Sequence, residues 1–110
     1  MPGAGVATVA DNKITDYLLN PTHPKGAGKA TFFVRFGFSL ANPAVLKKAL
    51  LDHPLNNPVT KHTVTPYGER YVITCSLATP DGRNPCIITV WDAEPTNPNP
   101  RLVTAYGNPP

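Results

Sequence analysis

His23, Lys25 and Lys29 crowd into the segment NPTHPKGAGK, residues 20–29, whose prolines and glycines forbid regular structure. Those residue types suit phosphoryl chemistry. An imidazole moves protons near neutral pH, and ammonium groups stabilise the charge that builds on a pentacovalent phosphorane. Lys29 breaks two local rules. It opens a helix whose N-terminal dipole disfavours a cation, and on the helical wheel it points between Phe32, Phe33 and Phe36. Such a residue is a functional candidate, the alternative being a lysine whose stem snorkels past its neighbours to water. The other two histidines have structural explanations: His53 ends a helix, where a cation suits the dipole, and His62 lies in a strand beside Lys61. Ser39 and Ser76 have no histidine partner in sequence. No carboxylate pair, CxxC or histidine pair at ligand spacing is present, so neither a metal nor another cofactor is expected.

These side chains must be held by the elements around them. Asp11 or Asn12 is a cap for a helix through Lys13–Leu19, with Ile14, Tyr17 and Leu18 on one stripe, ended by Pro21 and Pro24. A second helix begins at Lys29, with Ala30, Phe32, Phe33, Val34 and Phe36 on its broad apolar face and Gly37 as its stop. A third starts at Asn42 and Pro43 and ends near His53, before Pro54. From residue 58 the pattern turns to alternation, in VTKHTVT, ERYVITCSLA, CIITVWD and RLVTAY. The predicted fold is α+β: about three N-terminal helices packed on one face of a four-stranded antiparallel meander sheet. Residues 1–12 read as a flexible lead, 13–106 as a single domain and 107–110 as a tail.

Alternation also predicts the faces. Tyr71, Ile73, Cys75 and Leu77 align with Cys86, Ile88 and Val90 to give an apolar face for the helices. Val103 and Ala105 suit the same side. The opposite face then carries Thr74, Ser76, Thr89, Trp91, Thr104 and Tyr106, either as ordinary strand formers on a solvated face or as a groove with aromatic platforms for a nucleotide. In that register Cys75 and Cys86 are buried, reduced neighbours, unless the PDG turn sends them to opposite faces.

The 110 residues suffice for a real core, with 41% hydrophobic and only 15% charged residues. Fourteen prolines punctuate the chain and favour short elements. A net charge of +3 admits an anionic partner without demanding one. No segment approaches the ~20 apolar residues that span a bilayer, and the opening residues lack a signal-peptide pattern. As given, the chain reads as cytoplasmic, with no membrane partner.

Three stretches, ITDYLLNPTHPKGAGKATFF, YGERYVI and PRLVTAY, resemble a bacterial family of uncharacterised domains. Its pattern is a TDYLLNPxHPxGxxKAxFF opening and an LVTAY ending, and the match covers roughly 13–106. That family's members occur alone and as C-terminal modules of larger secreted or phage-related proteins, which implies delivery as a toxin module. Its helices-then-meander order is more distantly similar to the barnase–EndoU–colicin–RelE group of metal-independent ribonucleases. The resemblance singles out His23, Gly26, Lys29, Arg101, Thr104 and Tyr106. It implies His23 as acid or base, Lys29 and Arg101 as phosphorane stabilisers, and Thr104 and Tyr106 as phosphate donors or base-stacking groups. Lys25, Thr89 and Trp91 complete the expected RNA surface, and a small immunity or antitoxin protein is an implied partner. The competing reading is a non-enzymatic module that binds a protein through the open sheet face or an edge strand.

Overall fold

A computed structural model describes residues 1–108. Asp11 begins a short helical turn, α1 (Asp11–Lys13), which continues directly into a π-helical turn, π1 (Ile14–Leu18). The wide turn is closed by the Leu19 amide donating to the Ile14 carbonyl at 2.9 Å. Asp11 does not cap this helix; its carboxylate takes the Lys47 ammonium at 2.8 Å instead.

Helix α2 (Ala27–Arg35) buries Ala30 and Phe33 and leaves Val34 in water, a narrower apolar stripe than the wheel predicts. Gly37 ends it with φ +103°, as the left-handed stop requires. Helix α3 (Pro43–Asn56) runs past His53 and through Pro54. A proline this close to a C-terminus forfeits little of the ladder, and its ring is buried. Leu46, Ala49, Leu50 and His53 form the helix's inner stripe.

Strands β1 (Val59–Thr65), β2 (Gly68–Ser76), β3 (Cys86–Glu94) and β4 (Asn97–Gly107) pair in sequence order, all antiparallel. The α+β meander predicted from sequence is therefore the observed fold. β4 continues to Gly107, into the stretch read as a tail; residues 109–110 lie outside the described residues. In the stretch read as a lead, Thr8 bridges to Arg101 along the edge of β4, and Val9 is buried.

The register of β3 corrects the expected faces. Tyr71 pairs with Trp91, Ile73 with Thr89 and Cys75 with Ile87, so Thr89 and Trp91 face the helices and are fully buried. Cys86, Ile88 and Val90 lie on the other side. A Val103 bulge, where Val90 opposes Thr104 but Trp91 opposes Leu102, likewise turns Leu102 inward. Burying Trp91 requires a partner for its N–H. Its Nε1 donates to Thr89 Oγ1 at 2.8 Å, and Thr89 Oγ1 lies 2.9 Å from His53 Nδ1. His53 Nε2 lies 2.9 Å from the Cys75 carbonyl, which can only accept. The directions follow: Trp91 donates to Thr89, Thr89 to His53, and His53 to Cys75, leaving no buried side-chain polar atom unpartnered among the described residues. Burial pushes the His53 pKa below the usual imidazole value, against the backbone hydrogen bond to Cys75.

Candidate functional site

The loop between π1 and α2 is built by its own side chains. Asn20 Oδ1 accepts from the Thr22 amide at 3.0 Å and the Thr22 hydroxyl at 2.8 Å, and Asn20 Nδ2 donates to the Asp16 carbonyl. His23 then forms the turn that leads into α2. Its carbonyl accepts from the Gly26 and Ala27 amides, and its Nδ1 accepts from the Lys25 and Gly26 amides, both at 3.0 Å. With Nδ1 accepting, the ring proton sits on Nε2, which is the nitrogen free to act on a ligand.

Gly26 lets the start of α2 close onto π1. It is buried, and a Cβ there would run into the Tyr17 carbonyl oxygen. That approach brings His23 and Lys29 to Tyr17, where Lys13 of α1 and Thr104 of β4 also lie. The His23 ring meets the Tyr17 ring edge-on, with centroids 5.0 Å apart. Lys29 Nζ stands 5.5 Å and Lys13 Nζ 5.4 Å from the centre of the same ring. The Tyr17 hydroxyl lies 3.1 Å from Thr104 Oγ1 of β4. Lys29 is half-buried, its ammonium also donating to the Lys25 carbonyl at 3.3 Å.

Partial burial raises the Tyr17 pKa, but the Thr104 hydrogen bond and the Lys29 and Lys13 charges outweigh it. The net result lies below the usual phenol value. The cluster is thus a phenol easier to ionise than usual, two ammonium groups, an imidazole N–H and a hydroxyl. Such a set can accept a proton and hold an anion.

Of the residues singled out from sequence, His23, Lys29 and Thr104 are brought together here. Lys25 contributes backbone while its side chain is exposed. Tyr106, 37% exposed, lies two residues beyond Thr104 on β4. Arg101, three residues before Thr104 on β4, is engaged elsewhere: its guanidinium pairs with Glu94 and its charge acts on Asp92, both of β3. Thr89 and Trp91 are corrected from an outward surface to the core, because the β2–β3 loop shifts the register by one residue. Tyr17 and Lys13 were not foreseen. Tyr17 was read as core stripe, and the legible signal is that a tyrosine just before a Pro/Gly loop must find a partner for its hydroxyl.

The chain matches the family described as Domain of unknown function (DUF6883) over residues 1–109. It belongs to this family. Among solved structures, a chain of a contact-dependent growth inhibition toxin–immunity protein complex from Klebsiella pneumoniae 342 shares the fold of this DUF6883 member. The TM-score is 0.74 at 18% identity, with 100% of each chain covered. No curated protein matches the DUF6883 chain. Among the described residues no helix is long and apolar enough to cross a membrane, and no group of three or more His, Cys, Asp or Glu side chains is placed to hold a metal ion.

Proposed function

We propose that this domain is a toxin-type ribonuclease that cleaves RNA without metal, through a 2′,3′-cyclic phosphate. The observation that carries it is the gathering of Lys13, Lys29 and His23 around the Tyr17 ring, with Thr104 at its hydroxyl. The Tyr17 phenolate takes the proton of the RNA 2′-hydroxyl as that oxygen attacks phosphorus; the P–O5′ bond then breaks, and the departing 5′-oxygen takes a proton from solvent. Lys29 and Lys13 hold the charge of the phosphorane, and Thr104 and the His23 Nε2–H donate to its oxygens. This moves the base from His23, whose Nδ1 lone pair is committed to two backbone amides, to Tyr17. Tyr106 offers an exposed ring for base stacking. The fold shared with a chain of a toxin–immunity complex, and the helices-then-meander order of the barnase–EndoU–colicin–RelE group, favour the toxin reading by analogy. A small immunity-type protein is the corresponding partner.

The test is direct. Purified protein is incubated with end-labelled RNA in EDTA, and products are examined for cyclic phosphate ends. Tyr17→Phe and Lys29→Met each lose roughly a hundredfold or more in rate while keeping native circular dichroism. Wild-type protein that leaves tRNA and total RNA intact, and does not slow growth when expressed, refutes the reading. A second reading, partner binding without catalysis, is favoured by one feature: β1 is an outer strand of the sheet, with Val64 68% and Tyr67 86% exposed nearby. It requires that Tyr67→Ala weaken a complex that Tyr17→Phe leaves intact.

A further inference from the structure

Cys75 breaks the alternation of its own strand. Ile73, two residues before it, and Ile87, its partner in β3, are both fully buried, yet Cys75 is exposed. The cause is its backbone, with φ +142°, a conformation that residues bearing a Cβ rarely adopt. Such strain persists where the surroundings over-determine it. Here the end of α3 does so: His53 donates to the Cys75 carbonyl at 2.9 Å, and Asn57 Nδ2 donates to the Ser76 carbonyl at 3.0 Å.

Turned outward, Cys75 Sγ lies 3.9 Å from Ser76 Oγ, and Ser76 stands opposite Cys86 in the ladder. Cys86 is half-buried on the uncovered side of β3, and its Sγ accepts from Asn108 Nδ2 at 3.6 Å. Neither sulfur is in a disulfide. We propose that Cys75 and Cys86 are a reversible dithiol–disulfide pair, a modification site for low-molecular-weight disulfides of the glutathione disulfide class. The site is separate from the Tyr17 cluster and does not depend on the ribonuclease reading.

The chemistry balances in two exchanges. The exposed Cys75 gives its proton to solvent and attacks one sulfur of the reagent. The reagent's S–S bond breaks, and one small thiolate leaves. Cys86 then loses its proton and attacks Cys75 Sγ in the mixed disulfide, expelling the second small thiolate. Two protein thiols are oxidised by two electrons, and one disulfide is reduced to two thiols. Hydrogen bonds from Ser76, and then from the Cys86 thiol, hold the Cys75 pKa below the usual thiol value, which favours Cys75 as first attacker.

The test incubates native protein with glutathione disulfide and follows free thiols and intact mass. Wild type loses both thiols, loses the mass of two hydrogens, and retains no glutathione. Cys86→Ser stops at one glutathione adduct. Cys75→Ser reacts about tenfold more slowly, because the remaining thiol is half-buried. Dithiothreitol restores the starting mass, with near-ultraviolet circular dichroism unchanged throughout. Wild type that ends with two glutathione adducts, stays unreacted, links only between molecules, or crosslinks only once the native spectrum is lost overturns the proposal.

Discussion

The Tyr17 hydroxyl sits in a field opposite in effect to that around Tyr71. Two ammonium groups lie beside its ring, and Thr104 faces its oxygen, whereas Tyr71 donates to the Glu69 carboxylate at 2.6 Å. Those surroundings act in opposite directions. A donor and nearby cations favour the phenolate at Tyr17, while the hydrogen bond to Glu69, then desolvation, favour the neutral phenol at Tyr71. An ultraviolet titration of phenolate absorbance should therefore show Tyr17 ionising before Tyr71. Tyr17→Phe removes the Tyr17 phase. Lys29→Met and Thr104→Val leave the phase present and move it to higher pH, because each deletes something that favours the anion. A phase assigned to Tyr17 by its loss in Tyr17→Phe that lies above the Tyr71 phase would contradict this account of the site. The measurement needs no substrate, so it tests the electrostatics apart from the ribonuclease proposal.

At the scale of elements, the sheet is held to α3 by one hydrogen-bonded chain from Trp91 through Thr89 to His53 and on to Cys75. Thr89→Val keeps the volume and removes the middle of that chain, leaving a buried indole N–H and a buried imidazole nitrogen without partners. The expected cost is roughly 3 kcal/mol in a urea unfolding measurement, far above that of an isosteric change at an exposed threonine such as Thr63. The same chain explains what the sequence could and could not disclose. The helices were legible from Asn42–Pro43, from the phenylalanines after Lys29 and from Gly37, and the strands from their β-branched alternation. Which face of β3 turns inward was not legible, since Ile88 and Val90 are as apolar as Ile87 and Trp91. Only the loop through residues 77–85 decides between them, and its irregular path cannot be read from turn residues alone. The half-hidden site had the same limit. His23 announced itself by type and Lys29 by breaking local rules, while Thr104 stood out through strand alternation and the family resemblance. Tyr17 did not, because a tyrosine on an apolar stripe looks like core until the π-turn and Gly26 bring the start of α2 against it.

For the molecule as a whole, that buried imidazole makes stability depend on pH in a defined direction. His53 is neutral in the fold, donating from Nε2 and accepting at Nδ1; a proton on Nδ1 would displace the hydrogen that Thr89 donates there and put a charge on a buried ring. Its folded pKa is therefore lowered from 6.5, while the unfolded chain titrates near that value. Below 6.5 the unfolded state binds a proton the native state refuses, so stability is full above that pH and declines as pH falls toward the folded value. The slope cannot exceed about 1.4 kcal/mol per pH unit for this one group. A second decline begins lower. The paired hydrogen bonds from Arg70, at 2.7 and 2.9 Å, hold the Asp92 carboxyl below 3.8, so its contribution is present above that pH and lost as pH falls through the folded value. Urea midpoints measured from pH 8 to pH 3 should fall in those two stages. His53→Gln lowers the midpoint everywhere but flattens the first stage, and Asp92→Asn flattens only the second. If His53→Gln does not fold, the His53 ring proton shifts followed by NMR in the wild type decide the matter. They should stay at the neutral position below 6.5, and a ring that protonates at 6.5 with no loss of stability would show that the buried chain does not couple α3 to the sheet.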